Sequence, residues 1–146
     1  IHSDKGVRKT IISSLVPPIN DNLSRLLDKV NYPYHVVLND NFDAIITDKG
    51  EEVYSEIISN GESRILNICI AISYLEMVRK MNNINVLFMD EIFQSIQKDN
   101  IDLIVNLLKV FAEDNNINLI LVHHGLEELD SKLFDKIIFS DIKITK

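Results

Sequence analysis

The chain has 146 residues, 46% of them hydrophobic and 25% charged, enough for one globular domain with a real core. No apolar run approaches the ~20 residues of a membrane span, so a membrane protein of the helical kind is excluded. A net charge of −7 argues against a surface that binds nucleic acid throughout, although Lys5, Arg8 and Lys9 form one dense basic strip that is either a solvated helix face or a DNA-facing or partner-facing one.

Residues 1–31 are expected to be helical. Ile12, Val16, Ile19, Leu23, Leu26 and Val30 recur at spacings of three and four and share one helix face. Pro17-Pro18 predicts a kink or a break near Val16, because each ring removes a donor and crowds the preceding turn. The opening Ile1-His2-Ser3-Asp4 lacks the basic-then-apolar order of a signal peptide, so a cytoplasmic setting is expected. Two strands at 34–39 and 42–47, joined by the turn formers Asp40-Asn41, read as a β-hairpin. Asp48-Lys49-Gly50 is a second turn. After a short link to residue 58, Ser59-Asn60-Gly61-Glu62 leads into an apolar stretch from 63 to 81. Ile65, Leu66, Ile68, Ile70, Ile72 and Leu75 occupy almost every face of that stretch, which predicts a buried helix; Cys69 within it reads as a small core residue.

The remainder alternates strand and helix. Val86 to Met89 is a short apolar run ending at Asp90-Glu91, 101–111 is helical by period, and 117–122 is a second apolar run ending at His123-His124. Two continuous apolar strands joined by a helix of this length predict a parallel β–α–β crossover. Two final strands are expected at 136–139 and 142–145. The fold class is α/β, a parallel sheet with flanking helices and a small antiparallel hairpin.

Three short motifs carry potential chemistry. Ser59 followed three residues later by Glu62 is a capping box; the same helix N-terminus offers free N–H groups and a positive dipole end to a phosphate, and Gly61 lets that phosphate approach the backbone. Asp90-Glu91 is either a polar strand exit into solvent or a pair in which one carboxylate holds Mg2+ and the other orients and deprotonates water beside a phosphate. Ligands of open α/β sheets bind at such strand ends. His123-His124 is a turn pair, or supplies a hydrogen bond to a phosphate oxygen. No clustered Cys or acid supports zinc, and no G-x-S-x-G supports a serine nucleophile.

The order of these motifs resembles the C-terminal lobe of an ABC-type P-loop ATPase head of the SMC and SbcC-like branch. Ser59-Asn60-Gly61-Glu62 resembles the signature motif, with Asn60 at the usual first glycine. Val86 to Asp90 resembles Walker B, Glu91 the catalytic glutamate that follows it, and Ile92 to Gln97 the D-loop. His124 resembles the switch histidine of the H-loop, with His123 the alternative by a shift of one. Gln97 stands where the D-loop usually has aspartate, and Ile92 where it has proline. The resemblance divides the chain into a coiled-coil base helix (1–31), a hairpin and link (32–58) and the signature, Walker B and H-loop part (59–146).

It implies ATP and Mg2+ as cofactors, with Asp90 on the metal, Glu91 as general base and His124 at the γ-phosphate. Ser59, Asn60, Gly61, Glu62 and Gln97 would contact ATP held by a second head in an ATP-dependent dimer. A nuclease subunit would dock near the coiled-coil base, and DNA would be reached through the assembled complex. No G-x-x-x-x-G-K-[ST] occurs in the sequence, so the chain is expected to be completed by an N-terminal P-loop lobe, in the same parent chain or another. Its sheet is then expected to expose an edge and an apolar face. Two other readings stay open: another SMC, RecF-like or RecN-like ATPase, and a non-catalytic interaction domain that retains a degenerate head fold.

Overall fold

Helix α1 runs from Ser3 to Lys29, at the start of a computed structural model that describes residues 3–123. The expected strands at 136–139 and 142–145 lie outside that range, as does His124. The α1 stripe is realised from Val16 onward: Val16, Ile19, Leu23, Leu26 and Val30 are all buried. Of the kink or break expected near Val16, the break does not occur, since both prolines lie inside the helix. Both face solvent while Val16 and Ile19 on either side are buried, so core packing holds the segment helical where water can stand in for the lost donors. Asn31 ends the helix in the left-handed region (φ 49°), and the Tyr32 amide returns to the Leu27 carbonyl at 3.0 Å, the closure of a Schellman motif.

The hairpin is present with one strand more than expected. Strand β1 (His35–Leu38) pairs antiparallel with β2 (Ala44–Asp48) from His35↔Thr47 to Leu38↔Ala44. The Asn39 Oδ1 accepts from the amides of Asn41 and Asp43 at 2.8 and 3.0 Å, an Asx-type turn. Lys49 and Gly50 both have positive φ (49° and 91°), as a tight primed hairpin turn requires, and they bring back β3 (Glu51–Glu52) against β2. Asn20 joins the hairpin to α1: its side-chain amide donates to the Leu38 carbonyl at 2.9 Å and accepts from the Leu38 amide at 2.8 Å.

Helix α2 spans Asn60–Met81. It is buried on one side only. Ile65, Leu66, Ile68, Cys69 and Ile72 are in the core, whereas Asn67, Ala71 and Tyr74 are exposed; the apolar residues placed on its other faces are partly covered or solvated. Strand β4 (Val86–Asp90), helix α3 (Lys98–Asp114) and strand β5 (Asn118–Val122) form the expected crossover. The two strands are parallel, in register from Val86↔Asn118 to Asp90↔Val122. Leu87, Met89, Leu119 and Leu121 pack inward onto the core. The alternate residues Val86, Phe88, Ile120 and Val122 are 50%, 62%, 47% and 40% exposed, so among the described residues one apolar face of this sheet is uncovered. No helix among the described residues is long and apolar enough to cross a membrane.

Candidate functional site

Ser59 is the N-cap of α2 and closes a complete capping box. The Glu62 amide donates to Ser59 Oγ at 3.2 Å, while Glu62 Oε2 accepts from the Ser59 amide at 2.9 Å and from the Ser59 hydroxyl at 2.7 Å. The serine's one proton is therefore spent on Glu62. Both residues remain accessible, with Ser59 exposed and Glu62 half-buried, and the helix N-terminus they frame points its dipole outward.

At the other end of the crossover, Asp90 closes β4 on the same side as Val86 and Phe88 and is exposed. Glu91 continues the ladder by one bond, its amide donating to the Val122 carbonyl at 2.8 Å. It then turns into the left-handed region (φ 51°), an uncommon conformation for a non-glycine residue. Its Oε2 lies 3.0 Å from Nδ1 of His123, the first residue past β5. The register explains the meeting: Asp90 is level with Val122, so the next residue of each strand leaves the sheet at the same height. Phe93, 2% exposed, stands edge-on to the His123 ring at 5.5 Å and fixes its plane.

The segment between β4 and α3 touches α2 in two places. An Arg64 Nη donates to the Glu91 carbonyl at 3.3 Å, and a Cβ built on Gly61 would stand 3.0 Å from the Ser95 carbonyl oxygen. Ser95 too has positive φ (68°). Between these contacts lies an open cleft of about 190 Å3, lined by Asn60, Ser63, Arg64, Asn67, Gln94 and Ser95. Gln97 is the N-cap of α3 and makes no side-chain capping bond.

Thus Gly61 meets the 92–97 segment, Asn60 lines the cleft beside it, and Glu91 meets His123. Arg64 and Phe93 are site residues that sequence reasoning missed; Arg64 sits one turn into α2, where a charged residue beside a capping box reads as ordinary helix surface. Among the described residues no group of three or more His, Cys, Asp or Glu could hold a metal ion. Asp90 offers an exposed carboxylate of the type Mg2+ takes together with phosphate oxygens and water. Two acidities are displaced, one in α2 and one just past the end of α1: burial pushes the Cys69 thiol up to about 12, and burial first, then the Glu62 charge, raises Tyr32.

This arrangement is similar to part of the fold of SMC head domains of known structure. A chain from a study of ATP-driven dimerization and DNA-stimulated activation of SMC ATPases matches with a TM-score of 0.71 at 16% identity, over 93% of this chain and 84% of that one. An SMC head bound to the C-terminal winged-helix domain of ScpA matches at 0.59 and 15% identity, over 76% of this chain and 36% of that one. The SMC head domain from Thermotoga maritima matches at 0.55 and 15% identity, over 82% and 44%. In sequence, exonuclease subunit 2 of Escherichia phage RB69 is 27% identical over 95 residues, 63% of this chain. The match spans 17% of that relative's length. No protein-family model matches the chain.

Proposed function

We propose that this chain is the C-terminal half of an ABC-type ATPase head, of the SMC and SbcC-like kind, that hydrolyses ATP at a composite site and so controls DNA-end processing by a partner nuclease. The observation that carries the reading is the pairing of Glu91 with His123 across adjacent parallel strand ends, at 3.0 Å. A carboxylate held by an imidazole is suited to accept a proton from water beside a phosphate. The pairing supports His123, the alternative by a shift of one, as the switch histidine; His124 lies outside the described residues. Asp90 would hold Mg2+, which supplies charge neutralisation to the phosphates. The uncovered face bearing Val86, Phe88, Ile120 and Val122 continues to Asp90, and we assign that face to the P-loop lobe that the site needs.

Ser59, Asn60, Gly61 and Glu62, on a different element from Asp90 and Glu91, would meet ATP held by a second head. ATP would then clamp two heads, and hydrolysis would release them. The α1 helix would be the base of a coiled coil, with the nuclease subunit docking beside it. The phage exonuclease subunit and the SMC ATPases named above support this reading by likeness. A second reading, a non-catalytic domain with a degenerate head fold, draws on Gln97 at the D-loop position.

Mixing the chain with the P-loop lobe of its parent protein tests the proposal. The expected result is ATP turnover that neither part has alone. No stimulated turnover, with both parts folded and associated, supports the degenerate-head reading instead.

A further inference from the structure

The backbone of Glu91 is anchored on both sides of its Cα. Its amide donates to the Val122 carbonyl at 2.8 Å. Its carbonyl accepts from the Arg64 guanidinium at 3.3 Å and, more loosely, from the Gln94 amide at 3.5 Å. Between these anchors the residue sits at φ 51°, a conformation that is costly for a non-glycine residue and persists only where its surroundings over-determine it.

The same anchors place the side chain. With the amide fixed to β5, rotation about N–Cα carries Cβ and the carbonyl carbon together. Relaxing φ to the ordinary negative range is a turn of roughly 100°, which moves Cβ by about 2 Å and the carboxylate farther. Glu91 Oε2 would then leave Nδ1 of His123, which it meets at 3.0 Å. Whatever holds the carbonyl therefore holds the carboxylate. Of the two donors named, Arg64 is the nearer and the charged one, and hydrogen bonds from a charged donor are the stronger kind. The Gln94 amide lies in the same turn as Glu91 and moves with it. Arg64 stands on a separate element, α2, which the segment also meets at Gly61, where a Cβ would lie 3.0 Å from the Ser95 carbonyl oxygen.

We propose that Arg64 is a positioning residue for Glu91: by holding the Glu91 carbonyl it keeps the backbone left-handed and the carboxylate on His123. In this role it acts through Glu91 and contacts no reacting atom. The inference rests on the reading of Glu91 as the base.

The test uses the assembled head, this chain with its P-loop lobe, and measures kcat, KM for ATP and ATP-dependent dimerisation in wild type, Arg64→Met, Glu91→Gln and the double variant. Methionine keeps an apolar stem and has no donor. Arg64→Met is expected to lower kcat about ten- to thirtyfold with KM and dimerisation unchanged. In the Glu91→Gln background the same change is expected to cost nothing further, because no base is left to position. A second readout is the nitrogen NMR resonance of His123 Nδ1 in the ATP-free head, which Arg64→Met is expected to shift to the value found in Glu91→Ala. An equal kcat loss in both backgrounds, or an unmoved His123 resonance, makes Arg64 merely structural and overturns its role. So does a loss confined to KM or dimerisation, which places the guanidinium on the second head's ATP. Arg64→Gln, two bonds shorter and still polar in the open cleft, is the second variant and is expected to behave as Arg64→Met; failure of both to fold overturns the role as well. Wild-type turnover of Arg64→Met beside impaired Glu91→Gln overturns this inference alone, whereas wild-type turnover of Glu91→Gln overturns the base reading and this inference with it.

Discussion

Gly61 and Ser95 are in backbone contact: any Cβ at position 61 would lie 3.0 Å from the Ser95 carbonyl oxygen. This ties the N-terminal turn of α2 to the segment between Glu91 and α3. In a helix, alanine is favoured over glycine by about 1 kcal/mol, so Gly61→Ala would stabilise an isolated α2. Overpacking against a backbone atom costs roughly 1–3 kcal/mol, and here it dominates. Chemical denaturation is expected to find the variant less stable by about 1 kcal/mol; a gain in stability shows the contact to be slack.

Gln97 starts α3 without capping it. Aspartate there would accept from the free amides of the first turn and complement the helix dipole. Gln97→Asp is expected to stabilise the fold by roughly 0.5–1 kcal/mol, read as a higher denaturation midpoint with unchanged slope. An unchanged midpoint shows that the side chain at 97 does not reach the α3 amides.

Cys69 is fully buried and its thiol is raised to about 12 from the ordinary 9.0. Burial disfavours the thiolate, so the folded chain holds this proton more tightly than the unfolded one. The stabilisation is complete below about pH 9 and declines as pH rises from there toward 12. A thiol reagent at pH 8 is therefore expected to label Cys69 only at the rate of unfolding. Rapid labelling of the native chain contradicts the burial.

Phe88 is 62% exposed on the uncovered face of β4 and β5. Phe88→Ser is expected to make the isolated chain less prone to self-association, because it breaks up that apolar face. It is also expected to weaken binding of the P-loop lobe at least tenfold, measured by calorimetric titration. Undiminished binding places the lobe elsewhere.

How much of this was legible in sequence depends on range. The capping box and the α1 stripe follow from spacings of three and four residues, and the parallel crossover from two continuous apolar runs joined by a helix; the structure has all three, the stripe from Val16 onward. The unbroken helix through Pro17-Pro18 was not legible, because burial of Val16 and Ile19 against distant elements outweighs a local rule. Strand β3 was missed because Glu51-Glu52 is too short and too charged to read as a strand. The Glu91–His123 pair depends on register across α3, which fixes which histidine leaves the sheet level with the glutamate. Arg64 matters only through the Glu91 carbonyl it meets in three dimensions.

The central claim is that Glu91 is the base of an ATPase head. Turnover by Glu91→Gln in the assembled head tests it most directly. The account predicts a loss of at least a hundredfold in kcat with ATP-dependent dimers persisting, since the amide keeps the shape and loses the base. Turnover equal to wild type in a folded, ATP-binding assembly contradicts it.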